Sequence, residues 1–294
     1  MKTTLGILFL CCFTLSVNAQ LLWKISGNGL KEPSYIMGTH HLAPLSIKDS
    51  IQGLQAALDQ TQQVYGELKM SDMQNPAMAA TMQKYITTDT DTTFKSLFTV
   101  AEYELINNCT KENLKFDIDM MPKIKPAFLS NNLMVILYMK HVGDFNPQEQ
   151  MDTYFQTKAA ESEKKVDGLE TMNFQFDLLF NRSSLKRQAE VLLCMMNNID
   201  NNIDLTKRLT SAYMMQDLNT MEKIANEEEC GMTQQEKDNL IDNRNKNWAD
   251  KLPEIMQTAP TFIAVGALHL VGKNGLLSLL DSQSYYKKEK CGKI

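Results

Sequence analysis

Apolar residues along this chain fall into short runs near its two ends and a long helical pattern between them. Leu22-Trp23-Lys24-Ile25 and Ser34-Tyr35-Ile36-Met37 flank a turn containing Gly27-Asn28-Gly29 and Pro33, which predicts a β-hairpin over 21–26 and 33–38. A helix over 49–60 leads to a strand ending Val64-Tyr65-Gly66-Glu67-Leu68. From about 75 to 162 the spacing is mostly helical, punctuated by Pro122, Pro126 and Pro147, with a long apolar segment from Phe128 to Tyr138. A short strand over 164–169 runs into a helix that opens with Glu170-Thr171, and helices continue through Pro253. A strand over 261–265, a helix over 275–281 and an edge strand over 284–288 follow. Few, widely spaced strands with helices dominating the middle predict an α/β chain. Its central mixed β-sheet is flanked by helices, and a large helical insertion at about 75–160 roofs a cleft.

The first residues change the picture of where the protein works. Met1-Lys2, the apolar Leu5 to Phe13 and the exit Val17-Asn18-Ala19 have the three regions of a secretory signal. Cleavage after Ala19 would leave residues 20–294 as one domain, secreted or periplasmic, with no later run long enough to span a bilayer. The net charge of −5 falls by one with the loss of Lys2, and lysines alternate with acids along most of the chain. No surface for nucleic acid is expected.

Four cysteines survive processing, and export permits disulfides. Cys194 sits in the apolar run Val191-Leu192-Leu193-Cys194-Met195-Met196, which predicts a buried free thiol. One bridge among Cys109, Cys230 and Cys291 is expected. The 19 methionines mostly fall at helical core spacing, where Met fills gaps.

One short pattern occurs twice. Ile36-Met37-Gly38-Thr39-His40-His41-Leu42 and Ala264-Val265-Gly266-Ala267-Leu268-His269-Leu270 each read apolar, apolar, Gly, two residues, His, Leu. Three of the four histidines lie in these segments. Either histidine alone could be satisfied by a backbone carbonyl. If the two strands are neighbours, His41 and His269 converge at the carboxyl ends of the strands, where open sheets bind ligands. Two imidazoles, a carboxylate and an open position suit Zn, Mn or Co. Glu67, ending an apolar strand, supplies the carboxylate or caps the sheet in water. Glu170 ends the next strand in the same way, or complements a helix dipole. His40 is either a supporting group or solvent-facing, His141 reads as a helix C-terminal cation, and Trp248 as an anchor packing its helix on the sheet.

These segments, with Leu21 to Ser26, Gly66-Glu67, Gly168-Leu169-Glu170-Thr171 and Arg244-Asn245-Lys246-Asn247-Trp248, resemble the TraB/GumN family over nearly the whole mature chain. That family is similar to the Tiki proteases and, more distantly, to erythromycin esterases and haem-binding ChaN-like proteins. The resemblance implies a metal-dependent hydrolase whose site is built from Gly38 with His41, Gly266 with His269, and Glu67. It also brings in Arg244 and Asn245, where the residues alone would leave Arg244 on a solvated helix face. His41, His269 and Glu67 would hold a divalent ion (Mn, Co or Zn), Glu67, Glu170 and Arg244 would act in catalysis, and Gly38, Gly266, His40 and Asn245 would touch the substrate. A peptide bond is the expected target, without the His-Glu-x-x-His helix of ordinary zinc proteases. The alternatives are a metal-free esterase-like hydrolase and a non-catalytic protein that captures haem or a peptide.

Overall fold

A computed structural model describes residues 20–282, apart from 28, 90, 144–145, 148 and 228–229, together with strand 287–290. The expected signal segment, residues 1–19, and Cys291 lie outside the described residues. The strands are β1 (Leu22–Ser26), β2 (Ser34–Thr39), β3 (Gln63–Gly66), β4 (Lys165–Gly168), β5 (Thr261–Gly266) and β6 (Lys287–Lys290). The helices are α1 (Leu54–Gln60), α2 (Pro76–Ile86), α3 (Val100–Leu114), α4 (Pro126–His141), α5 (Met151–Glu161), α6 (Met172–Phe180), α7 (Leu185–Asn197), α8 (Ile199–Met214), α9 (Leu218–Ala225), α10 (Gln234–Lys237), α11 (Asn243–Thr258) and α12 (Leu276–Ser282).

The strands form one mixed sheet in the order β4-β3-β5-β2-β1-β6. β4, β3, β5 and β2 run parallel, β1 pairs antiparallel with β2, and β6 antiparallel with β1. β2 is buried along its whole length and β5 up to Val265, which is why both read as continuous apolar runs rather than alternating ones. The last long strand, β5, slots between β2 and β3, with Gly38 opposite Val265 and Thr39 opposite Gly266. The two Gly-x-x-His segments therefore leave the same end of adjacent strands.

One core surrounds the sheet. Helix α5 packs across β3, β4 and β5, burying Met151, Phe155 and Ala159 at four-residue spacing, with Phe155 4.9 Å from Phe262 between ring centroids. Asp152 and Gln156, one position on, follow the same spacing and turn toward the carboxyl edge of the strands. A second core joins α3, α4 and α7 through Ile106, Leu129, Leu133, Leu192 and Met195. The helical layer expected at 75–160 thus also takes in residues 185–197.

Three local expectations are corrected. The helix over 49–60 is split, because Gly53 at φ 78° interrupts it and α1 begins only at Leu54. The edge strand lies at 287–290 rather than 284–288, of which residues 284–286 fall outside the described residues. Cys194 is not a free thiol but is bridged to Cys230, while Cys109 is free. Cys194 is only half-buried, on the flank of α7 that meets the chain before α10, so its apolar neighbours turn inward while it turns aside. Closing a loop over a 36-residue separation stabilises the fold by about 3–4 kcal/mol.

Candidate active site

Four parallel strands deliver polar side chains to one edge of the sheet. β3 ends in Glu67 and β4 in Glu170, and the pairing continues past both strands, since the Glu170 N–H donates to the Glu67 carbonyl at 2.9 Å. This sets the two carboxylates side by side. β5 leads through a short turn to His269, and β2 leads to His40 and His41.

Arg244 joins them from α11. That helix buries Arg244, Asn245, Trp248, Ala249, Leu252 and Met256 on one face, so Arg244 belongs to its inward stripe. The guanidinium carbon lies 4.7 Å from the Trp248 ring centroid one turn on, and Trp248 in turn lies 4.6 Å from the His269 ring. Nε of Arg244 donates to both Glu170 oxygens at 3.0 and 3.1 Å. Nη2 donates to Glu67 Oε2 at 2.5 Å and Glu170 Oε2 at 2.8 Å. Nη1 donates to the Leu240 carbonyl at 3.1 Å and meets His269 Nε2 at 3.1 Å. All five guanidinium N–H donors are therefore used. The Leu240 carbonyl belongs to a π-helical turn, Asp238–Asp242, in which Asn243 N–H reaches back to Asp238 O.

The network assigns the tautomer of His269. Asn245 Nδ2 donates to the Asn274 carbonyl at 2.8 Å, which turns its Oδ1 toward His269 Nδ1 at 2.7 Å. Nδ1 must then carry the proton, and Nε2 accepts from Arg244. Burial pushes His269 down to about 4, against the opposing pull of Glu67, so the ring is neutral at neutral pH. Burial alone would raise Glu67, but His269, which takes up its own charge below about 4, together with Arg244, His41 and the Gly266 N–H, outweighs it and holds it at about 2. That N–H donates to Glu67 Oε1 at 2.8 Å.

His41 is built differently. Its side chain is 59% exposed, and Nδ1 donates to Asp152 Oδ2 at 2.9 Å. The other Asp152 oxygen accepts from the Thr39 hydroxyl at 3.0 Å. Asp152, itself buried, raises the His41 imidazolium above the ordinary histidine value, and leaves Nε2 without that carboxylate's claim. His41 and Glu67 line one cavity of about 360 Å³, roofed by Val135 from α4 and by Asp152 and Gln156 from α5.

The structure brings Glu67, Glu170, Arg244, Asn245 and His269 into one bonded cluster, with His41 across the cavity from it. Several placements differ from the expected roles. Asn245 is fully buried and orients His269, so it does not reach a substrate. Gly38 is a packing glycine: a Cβ there would lie 2.9 Å from the Leu270 side chain and 3.1 Å from Ala267 Cα, and its carbonyl accepts from Tyr213. At Gly266 a Cβ would stand 3.2 Å from Glu67 Oε1, so this glycine serves Glu67. His40 lies edge-on to Tyr213 at 5.4 Å and is not among the residues lining the cavity. Burial, then His41, push it down to about 4. His141 does end a helix, α4. Sequence reasoning missed Asp152, which reads as an ordinary acid in the first turn of α5, and Gln175, whose Nε2 lies 3.3 Å from both Glu67 and Glu170.

Fold and site together define an α/β protein with a buried ionic cluster at the carboxyl edge of its parallel strands, opening on a roofed cavity. The family model for the TraB/PrgY/gumN family matches residues 21–288, and the chain belongs to that family. Comparison with curated proteins and with solved structures finds no match.

Proposed function

We propose that this chain is a hydrolase that cleaves an acyl bond, most simply the amide C–N bond of a peptide, between His41 and Glu67. The observation that carries the reading is that two side chains from different strands face one cavity while their far sides are tied, His41 to Asp152 and Glu67 to Arg244 and Gly266. Groups held from behind and open in front are pre-organised for a substrate. With Asp152 behind it, protonated His41 donates through Nε2 to a carbonyl oxygen or a leaving amine. Glu67, ionised throughout the neutral range, orients the water that adds to the carbonyl carbon. The proton this water loses replaces the one His41 gives to the departing amine as the acyl C–N bond breaks, so the pair ends as it began. Glu67 is too weak a base to take that proton from water that is not already activated.

Charge supports a divalent ion on the cavity side. Asp152, Glu67 and Glu170 face one permanent cation, Arg244, so with His41 neutral the site is short of positive charge. Such an ion, Mn, Co or Zn, would displace the His41 Nε2 proton and be held by that nitrogen and Glu67, and when bound it would supply an activated water and a polarised carbonyl in place of the acid role of protonated His41. His269 fits this role less well than expected, because its Nε2 lone pair is taken by Arg244. It enters a metal's shell only if Arg244 turns away.

The test is hydrolysis of a mixed peptide library read by mass spectrometry, with metal content measured on untagged protein. His41→Ala and Glu67→Gln are expected to lose about 10²–10⁴-fold in rate with unchanged circular dichroism, and wild-type rates in both would end the proposal. The His41–Asp152 pair favours a second reading, metal-free ester hydrolysis with His41 as base at alkaline pH. Activity toward esters that survives exhaustive chelation would select it. The Cys194–Cys230 bridge supports the secreted or periplasmic placement, since such bonds persist in oxidising compartments.

A further inference from the structure

We infer that the cavity beside His41 and Glu67 is a subsite for an uncharged, apolar group of the substrate, and that it tolerates variation in that group's shape. This rests on the hydrolase reading above and gives it a substrate class. The charged residues lining the cavity, among those described, are His41, Glu67 and Asp152, the residues of the candidate site. Away from them the wall is apolar: Met70 and Met73 come from the 3-10 turn Met70–Gln74, Val135 from α4, and Met172, Phe176 and Leu179 from α6 or its flank.

Three amide side chains interrupt this wall, and those of Gln156 and Gln175 are engaged elsewhere, while Gln150 is the third. Gln156 accepts from the Met70 N–H at 2.8 Å and donates to the Leu68 carbonyl at 2.7 Å, and the Gln175 amide nitrogen is directed at Glu67 and Glu170. Away from His41, Glu67 and Asp152, a charged group entering here would lose its hydration and find only the neutral amide of Gln150 in return. An apolar group gains from burial. At about 360 Å³ the cavity is at the small end of ligand sites, suited to one side chain or a short acyl group. Three methionines in one wall make it compliant, because the unbranched thioether repacks around different shapes. Aliphatic and aromatic groups should therefore both be accepted.

Binding separates this inference from catalysis. N-hexylacetamide, N-benzylacetamide, N-acetyl-lysine methylamide and N-acetylglutamate would be titrated by ligand-observed NMR into the full mature protein and into His41→Ala. The two apolar amides are expected to bind both proteins, losing no more than about fivefold in His41→Ala, where the Nε2 donor to their carbonyl is gone, and the two charged ones to bind at least about tenfold more weakly than the apolar ones. Met73→Lys and Leu179→Glu should weaken the apolar amides by about tenfold or more. Met73 is 52% and Leu179 42% exposed, so both variants keep the core, which a melting curve checks. Apolar binding in a protein that shows no hydrolysis would leave the subsite standing and remove the hydrolase reading. Hydrolysis without preference for apolar groups, unchanged in both variants, would overturn the subsite and leave the hydrolase reading intact. Equal binding of all four amides would also overturn it.

Discussion

The two sides of the site obey different rules. On one side Arg244 satisfies two buried carboxylates and a neutral imidazole, and every one of its donors is committed. On the other, His41 has one buried partner, Asp152, and an exposed ring. A buried ion pair is costly to break, because the group left behind has neither water nor partner. An exposed histidine adds little to stability whatever it does in chemistry. The contrast teaches that stability and reactivity are divided between the two motif histidines: His269 is part of the frame, and His41 is the group free to act.

The largest effect should come from breaking the frame. Arg244→Met would strand Glu67 and Glu170 beneath Trp248, and denaturant unfolding should show a loss of about 3–5 kcal/mol. A loss below about 1 kcal/mol would mean that water reaches the carboxylates and that the two sides are less different than drawn here. Lysine is no substitute at this position, since it has one nitrogen where two forks are needed.

Next comes pH. An unfolded histidine takes its proton near 6.5, whereas buried His269 refuses one until about 4. Between those values the unfolded state binds more protons, so the His269 contribution is full above about 6.5 and falls as pH drops toward 4. The span corresponds to about 3 kcal/mol for His269. His40, also lowered to about 4 by burial and by His41, adds to the slope, and His40→Phe should reduce it. Glu67, held at about 2, carries the loss to still lower pH. A melting temperature that stays flat from pH 7 to 4 would show that His269 is charged in the folded protein, contradicting the tautomer assigned through Asn245.

The smallest effect should be that of His41→Ala, about 1 kcal/mol or less, because water entering where the exposed ring stood can reach the Asp152 oxygen it leaves while the Thr39 hydroxyl keeps the other. A larger loss would move His41 into the frame. Taken with its expected effect on hydrolysis, this variant sharpens the comparison most, because it should separate stability from rate.

How much of this could be read in the chain depends on where each signal is local. β2 and β5 announce themselves, because strands buried on both faces give unbroken apolar runs, and a Gly-x-x-His follows each. The adjacency of Glu67 and Glu170 follows from strands that end alike. Asp152 was not legible, since it contacts a histidine 111 residues away and nothing beside it sets it apart from a dipole-complementing acid. Arg244 was placed by family resemblance alone. Its burial depends on which face of α11 meets the sheet, and a Lys-rich, Asn-rich helix start hides that face. Cys194 misled because its neighbours are apolar, although a helix turns adjacent residues about 100° apart.

The π-helical turn at Asp238–Asp242 has a consequence for how this gene can change. A wide turn of this kind holds one residue more than the α-turn it replaces. Deleting one residue from it would let the stretch close as an ordinary α-turn while α10 and α11 keep their faces, so Glu236 stays at the Arg187 side chain it holds at 3.0 Å and Arg244 stays between the two carboxylates. The same deletion within α11, between Arg244 and Trp248, meets no wide turn to absorb it and would turn one of them about 100° away from the other. The gene can lose a codon in this turn, and not in the next, without moving the site.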